Sequence, residues 1–474
     1  MQRAMRVFLI LVMGTFGFAA WAGELSPEAF LGQVRNQNEE VKGAIDSSEG
    51  SLKRSEAASL ALSWSLFLNG AYKSDARLYP VPLMSYTSIE TQNYSLGFRK
   101  LTSFGMEAKV GYSLMHTDYR NLVVGGTPSP LAFFDTTPFI ELKQSLWSNG
   151  FGRATQADQE SAQAMMLESR FRSRQQARSL LIRAEEAYWQ LALIRERIEV
   201  SKRALEQAEK IYKWAKQRSE RNLADDVDAL QAEAALELRR LEVQTALDDE
   251  RAASRALNKM RNIDSDVVED TLVEVKSDTL LGFKAPDIKP ERDDVKMAEF
   301  QQKAAMARAA SAAEQYRPTL DVYGNYALNG RANNASQALG NPFQAGRPTW
   351  EVGLRFNMPL DRGIASEAIA GANLEQQAAE MILRQKQRDQ QQDWLDLQRR
   401  IADLQKRLQL SQTLVNVQKT KLQKERERLN AGRTTTFQVL SFEQDFAQSR
   451  IAEIGAKNAL IQAITQVKQY GGVL

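Results

Sequence analysis

The sequence predicts a mixed α and β fold made of duplicated repeats, each leading from membrane-length strands into a long helix. Three observations predict it. Four stretches alternate apolar and polar residues over about 9–11 positions, the length a tilted strand needs to cross a bilayer. Two helical patterns of roughly 65–70 residues carry a 3,4 spacing of small and apolar residues. The two halves of the chain also match each other at an offset of 210 residues.

The chain opens with a leader. Arg3 and Arg6 form a positive start, Val7 to Ala20 is almost wholly apolar, and Ala20-Trp21-Ala22 is a small-x-small cleavage site. Residues 1–22 therefore read as a secretory signal peptide. Without those two arginines, 60 Lys and Arg face 59 Asp and Glu. That near-neutral balance argues against a nucleic-acid partner, which needs a basic surface. Cys is 0 and His is 1 across 474 residues. Thiol chemistry, Cys/His zinc sites, Cys-ligated clusters and Ser-His-Asp machinery are excluded or disfavoured. No Walker, G-x-S-x-G, H-E-x-x-H or EF-hand pattern occurs, so neither an enzyme nor a cofactor is expected. Past the leader no apolar run reaches the length of a transmembrane helix.

A helical opening starts at Ser26-Pro27, a cap followed by a first-turn proline. The long helices are expected at about 153–221 and 364–431, each roughly 100 Å long. Shorter helices follow at about 225–261 and 434–470. In the first long helix Ala184, Ala187, Leu191, Ile194, Ile198, Ser201, Leu205, Ala208, Tyr212 and Ala215 keep the heptad spacing. In the second it is kept by Leu397, Ile401, Leu404, Leu408, Ser411, Val415, Gln418, Leu422, Glu425 and Leu429. A 3.5 repeat holds one seam against a partner and implies left-handed supercoiling. The small and polar seam positions suit a larger helical assembly better than a two-stranded zipper. The arginine run Arg170, Arg172, Arg174 and Arg178 reads as a solvated helix face, and a metal role for the lone His116 is not expected.

The clearest strands place Trp64, Leu66, Leu68, Gly70 and Tyr72; Ile140, Leu142 and Leu146; Leu320, Val322, Gly324, Tyr326 and Leu328; and Trp350, Val352, Leu354, Phe356 and Met358 each on one face. Alternation alone also fits a soluble antiparallel sheet with one wet face. The leader and the aromatic ends Trp64, Trp147 and Trp350 favour the membrane. Two further runs, around Tyr94–Arg99 and Met106–Met115, are joined by a tight turn at Thr102-Ser103-Phe104-Gly105. This hairpin either enlarges a barrel from four to six strands per chain or folds above it, with long loops at about 75–91 and 117–137 outside. Four strands in lipid leave bare edges, and the smallest transmembrane barrels have eight, so several copies must pool strands.

The offset aligns Arg218, Asn222, Val227, Leu230 and Glu233 with Arg428, Gly432, Phe437, Leu440 and Glu443. Asn and Gly both tolerate the left-handed conformation that ends a helix. The expected organisation is a first repeat at 23–262 (strands about 64–146, helical hairpin about 153–262), a loop-rich connector at 263–290, and a second repeat at 291–474 (strands about 318–358, helical hairpin about 364–470).

The segments Tyr316-Arg317-Pro318-Thr319-Leu320, Pro359-Leu360-Asp361-Arg362-Gly363 and Asn430-Ala431-Gly432-Arg433-Thr434-Thr435-Thr436-Phe437-Gln438-Val439-Leu440 resemble the TolC-type outer-membrane efflux family. So do Asn222-Leu223-Ala224-Asp225-Asp226-Val227-Asp228-Ala229-Leu230-Gln231 and Arg292-Asp293-Asp294-Val295. The resemblance implies a homotrimer: an outer-membrane β-barrel in contact with lipid, continuous with a periplasmic α-helical coiled-coil barrel. It implies a channel of a tripartite efflux or type I secretion system, docked to a periplasmic adaptor and an inner-membrane transporter. It places the periplasmic aperture at Asp228, Gln438 and Ser441. The turns Asn222, Leu223, Gly432 and Arg433 become the tunnel tips that meet the adaptor. Gln438 and Ser441 depart from the acidic residues many members carry there. Thr434 and Leu429 stand where gate partners Arg and Tyr occur in closely studied members. The competing readings are a structural coiled-coil protein of the envelope and a periplasmic adaptor.

Overall fold

A computed structural model describes residues 24–77, 84–221, 225–286, 291–343 and 346–470. The leader, Asn222, Leu223 and Pro290 lie outside the described residues. The chain divides into two compact units, each drawn from both halves of the sequence. One gathers residues to Gly43, residues 176–290 and the chain from Asp393 onward; the other comprises Ala44–Gln175 and Glu291–Gln392.

In chain order the principal elements are α1 (Pro27–Gln37), α2 (Glu39–Ala57), β1 (Ser65–Asp75), β2 (Ser88–Leu101), β3 (Met106–Arg120), β4 (Leu131–Ser145), α3 (Arg153–Glu220), α4 (Asp226–Met260), α5 (Asp293–Gln315), β5 (Thr319–Leu328), α6 (Ala335–Gly340), β6 (Pro348–Asn357), α7 (Arg362–Asn430) and α8 (Thr436–Val467). The expected opening helix is broken. Asn38 ends α1 in an extended conformation and then accepts the Val41 N–H at 3.0 Å, starting α2. Its side-chain amide also donates to the Met260 carbonyl at 3.1 Å.

The second unit is organised by one antiparallel sheet, a plain meander in the order β1-β2-β3-β4-β5-β6. A short strand, Gly330–Ala332, extends it along β4. The hairpin β2–β3 therefore belongs to the same sheet as the four strands clearest in the sequence. The three inner strands β2, β3 and β4 are 14, 15 and 15 residues long, longer than expected. Much of 88–91 and 117–137 is thus strand rather than loop. The reason is local pairing: Arg120 on β3 binds Glu90 on β2 at 2.7 Å, and Tyr119 lies near Phe133 across β3 and β4. The tight turn at Thr102–Gly105 is confirmed; the Thr102 hydroxyl accepts the Met106 N–H at 3.0 Å, and Gly105 has φ +78°. This turn packs on the start of α3, where Gly152 (φ +82°) leaves no room for a Cβ, which would lie 2.1 Å from the Ser103 carbonyl oxygen.

The first unit is helical. Trp394, Leu397, Ile401 and Leu408 of α7 pack on Ala456, Leu460 and Ala463 of α8, with connector residues Leu280, Leu281 and Phe283 against them. Leu193 of α3 packs on Ile454 and Ile461 of α8 and on Val275. The connector is pinned by Gln405, whose amide donates to the carbonyls of Leu280, Leu281 and Phe283 at 3.3, 3.2 and 2.8 Å. Ion pairs join α3 to α8 and its C-cap: Lys457 and Arg450 reach Glu196 at 2.8 and 3.6 Å, and Lys468 reaches Glu185 at 2.6 Å. The arginine run is not uniformly solvated. Arg178 is buried and donates to the Gln469 carbonyl at 3.2 Å, and in the other unit Arg174 reaches Asp293 at 3.6 Å.

Candidate functional site

The sheet has two chemically distinct faces, because side chains alternate and directly paired residues share a face. On one face a single row runs Leu66, Phe98, Val110, Ile140, Tyr326, Trp350 across all six strands. Leu68, Leu96, Leu142, Val352, Leu354 and Phe356 widen this row into a band. Its members are exposed, Leu68 by 74% and Trp350 by 73%. A continuous exposed apolar surface of this kind on a water-soluble protein is an interaction surface. Here it bears Trp350 and Tyr326 among its aliphatic and Phe residues.

The opposite face is wet. Its rows include Ser65, Arg99, Lys109, Glu141, Asn325 and Glu351. Lys109 approaches Glu141 at 3.3 Å, Lys143 approaches Asp321 at 3.1 Å, and the Tyr323 hydroxyl donates to Glu351 at 3.1 Å. Three glycines interrupt the polar rows: Gly353, where an added Cβ would lie 2.4 Å from the Tyr323 ring, and the pair Gly97 and Gly111. Gly97 and Gly111 sit beneath the rings of Phe67 and Phe139, which would meet any added Cβ at 2.6 and 2.8 Å. The rings lie flat on the backbone instead of projecting from it.

Beyond the band the alternation is lost: β2 and β3 carry mostly polar residues such as Glu90, Gln92, Asp118 and Arg120, while β4 opens on Leu131, Ala132, Phe133 and Phe134, apolar on both faces. His116 lies there, stacked on Phe134 with ring centroids 4.3 Å apart. The helix α6 covers the apolar face at this margin. The buried Thr136 hydroxyl donates to the Ala338 carbonyl at 2.5 Å, and the Tyr112 hydroxyl donates to Leu339 at 2.7 Å.

The second candidate region lies where α7 turns into α8 and α3 into α4. Gly432 has φ +68°. The Arg433 N–H returns to the Arg428 carbonyl at 2.8 Å and the Gly432 N–H to Leu429 at 2.9 Å, the paired bonds of a Schellman termination. The buried carboxylate of Glu425 holds Arg428 at 3.0 Å and accepts from the Thr434 hydroxyl, bracing the turn from inside. Thr435 then caps α8 by accepting the Gln438 N–H at 3.3 Å. Asp225, its counterpart at the offset of 210, caps α4 by accepting the Val227 N–H at 3.1 Å. The repeat is therefore visible in the capping chemistry as well as in the sequence.

The predicted aperture residues occupy these capped starts. Asp228 lies in the first turn of α4 and is half-buried. Gln438 and Ser441 lie in the first two turns of α8. Ser441 lines a cavity of about 420 Å³ with Gln231, Ala234 and Ala235 of α4 and Ala204 and Ala208 of α3. Gln231 was not singled out from the sequence, yet the same offset carries Ser441 onto it.

Residues 286–473 match the sequence model of the family described as outer membrane efflux protein. The matched stretch spans the second repeat. No curated protein matches the chain in sequence. Solved structures extend the likeness to the whole fold. The CmeC outer membrane channel of Campylobacter jejuni is 14% identical, with a TM-score of 0.65 over 94% of this chain and 85% of its own. The outer membrane protein VceC of Vibrio cholerae is 15% identical, with a TM-score of 0.66 over 94% and 96%. The open-state MtrE outer membrane channel of Neisseria gonorrhoeae is 17% identical, with a TM-score of 0.63 over 94% and 88%. The fold is the one shared by these outer membrane proteins.

Proposed function

We propose that the protein is an outer-membrane channel that gives passive export from periplasm to exterior, as the outer component of a tripartite efflux or type I secretion system. The observation that carries this reading is the apolar band continuous over six strands, backed by a charged and hydroxylated face. Backbone groups at a sheet edge are costly in lipid, so the sheet must close with copies of itself. The closed form is a trimeric barrel in the outer membrane, and the helices continue it as a periplasmic tunnel.

The heptad seams support this assembly. From Ile401 to Leu422 the seam alternates: Ile401, Leu408, Val415 and Leu422 are buried, whereas Leu404, Ser411 and Gln418 between them stay half-exposed; the pattern ends at the buried Glu425 that braces the turn. One side of the seam is filled within the chain, and the other is left for a neighbouring copy.

In this reading residues 1–22 are the export signal, 23–262 and 291–474 are the two repeats, and 263–290 connects them. Asp228, Gln438 and Ser441, with Gln231, ring the periplasmic aperture, where charge and width select what passes. The turns at Asn222, Leu223, Gly432 and Arg433 contact a periplasmic adaptor and, through it, an inner-membrane transporter. Membrane fractionation followed by unheated gel electrophoresis tests the reading. The protein should sediment with outer membrane and run as a heat-sensitive trimer. Recovery as a soluble monomer without detergent would overturn it.

A further inference from the structure

Resting on the channel reading above, we infer that the conduit closes by pairing β1 of one copy with β6 of the next, giving an eighteen-stranded barrel from three copies. The four strands clearest in the sequence would give twelve. The inner hairpin β2–β3 changes that number because it is fully laddered into the sheet: β2 pairs along its whole length with β3, and β3 with β4. It cannot leave the wall without breaking both ladders.

The two open edges fit each other. β1 has 11 residues and β6 has 10, and in a six-strand meander they run antiparallel. Neither carries a charge on its apolar face, the usual guard against edge-to-edge pairing. Leu66, Leu68 and Tyr72 on β1 and Val352, Leu354 and Phe356 on β6 are among the most exposed apolar side chains of the sheet. Parity restricts the register. To keep the band continuous, even-numbered residues of β1 must meet even-numbered residues of β6, because a shift by one residue turns every side chain over. Matching the strand ends places Leu66 opposite Phe356 and Leu68 opposite Leu354. The wet face then sets Phe67 opposite Arg355 and Ala71 opposite Glu351.

Barrel diameter grows roughly linearly with strand number, so eighteen strands make a lumen about 1.5 times wider than twelve. Barrels of that size hold an aqueous channel. The outer-membrane segment is then not the narrow point of the path, and cargo discrimination falls to the helical turns.

The chain has no cysteine, which makes the test direct. The double variant L68C/L354C, expressed full length and oxidised in the membrane, should give a covalent series ending at three copies on heated non-reducing gels. The variant L68C/R355C, whose thiols lie on opposite faces, should stay single. Electron cryo-microscopy of the unmodified trimer should count eighteen strands in cross-section, independently of whether either variant assembles. A trimeric channel with twelve wall strands, or efficient cross-linking through position 355 in place of 354, overturns the closure while leaving the channel reading intact. Failure to form any membrane oligomer overturns both.

Discussion

The substitution Ile140→Lys isolates the lipid-facing role of the apolar band. Ile140 lies in the middle of β4, paired with Val110 on one side and Tyr326 on the other, and is 45% exposed. A lysine there replaces an apolar contact with a charge near the bilayer midplane, at a cost of about 2–4 kcal/mol. That is roughly thirty- to thousandfold in the folding equilibrium, at 1.36 kcal/mol per factor of ten. The neighbouring Glu141→Lys is the control, with the same final residue on the wet face. It removes an exposed ion pair with Lys109, worth about 0.2–1 kcal/mol. Urea titration of both proteins refolded into lipid vesicles measures the difference. Equal losses, or a larger loss for Glu141→Lys, would refute the assignment of faces.

Three further outcomes follow from the helical unit. Gly432→Val should cost roughly 1–2 kcal/mol through backbone strain alone, since φ is +68° and nothing lies within 4 Å of the added Cβ; a thermal melt measures it, and adaptor-dependent export should weaken with it. Asp228→Lys should move the reversal potential of single channels in a salt gradient toward anion preference, and an unchanged potential would remove Asp228 from the aperture. Glu186 on α3 has its carboxyl raised above the usual value, first by burial and then by the charge of Glu185, with Arg183 opposing. Its protonated form is therefore favoured in the folded protein. That contribution is fully present below about pH 4.5, the free value, and is lost as pH rises through the raised folded value. Glu186→Gln should melt higher than the parent at pH 8, and the gap should close below pH 4.5.

The long helices were legible almost to the residue: α3 ends at Glu220 and α7 at Asn430, where the expected ends were 221 and 431. Heptad spacing is a strong signal because it persists over many turns, and Asp225, Thr435 and Gly432 mark the ends by capping chemistry. The four amphipathic strands were legible for the same reason, since one face is apolar and the other polar over their whole length. The outer halves of β2, β3 and β4 were not, because above the band β2 and β3 are mostly polar on both faces and β4 opens on Leu131, Ala132, Phe133 and Phe134, so alternation carries no information. Ladder partners such as Glu90 and Arg120, distant in sequence, decide that region instead. The break at Asn38 and the small helix α6 depend on contacts with Met260 and Thr136 that no local pattern encodes. Ser441 is named by the family resemblance, whereas Gln231, which lines the same cavity, follows only when the repeat offset is carried through to the second turn.

The central claim is that one face of the sheet meets hydrocarbon and the other meets water. Single cysteines placed in turn at positions 65 to 74 of β1, spin-labelled in lipid vesicles, test it through accessibility to oxygen and to a water-soluble nickel chelate. The account predicts strict alternation, with 66, 68, 70 and 72 accessible to oxygen and 67, 69, 71 and 73 to the chelate. Uniform accessibility to the chelate along the strand, or the same alternation with the phase reversed, would contradict it.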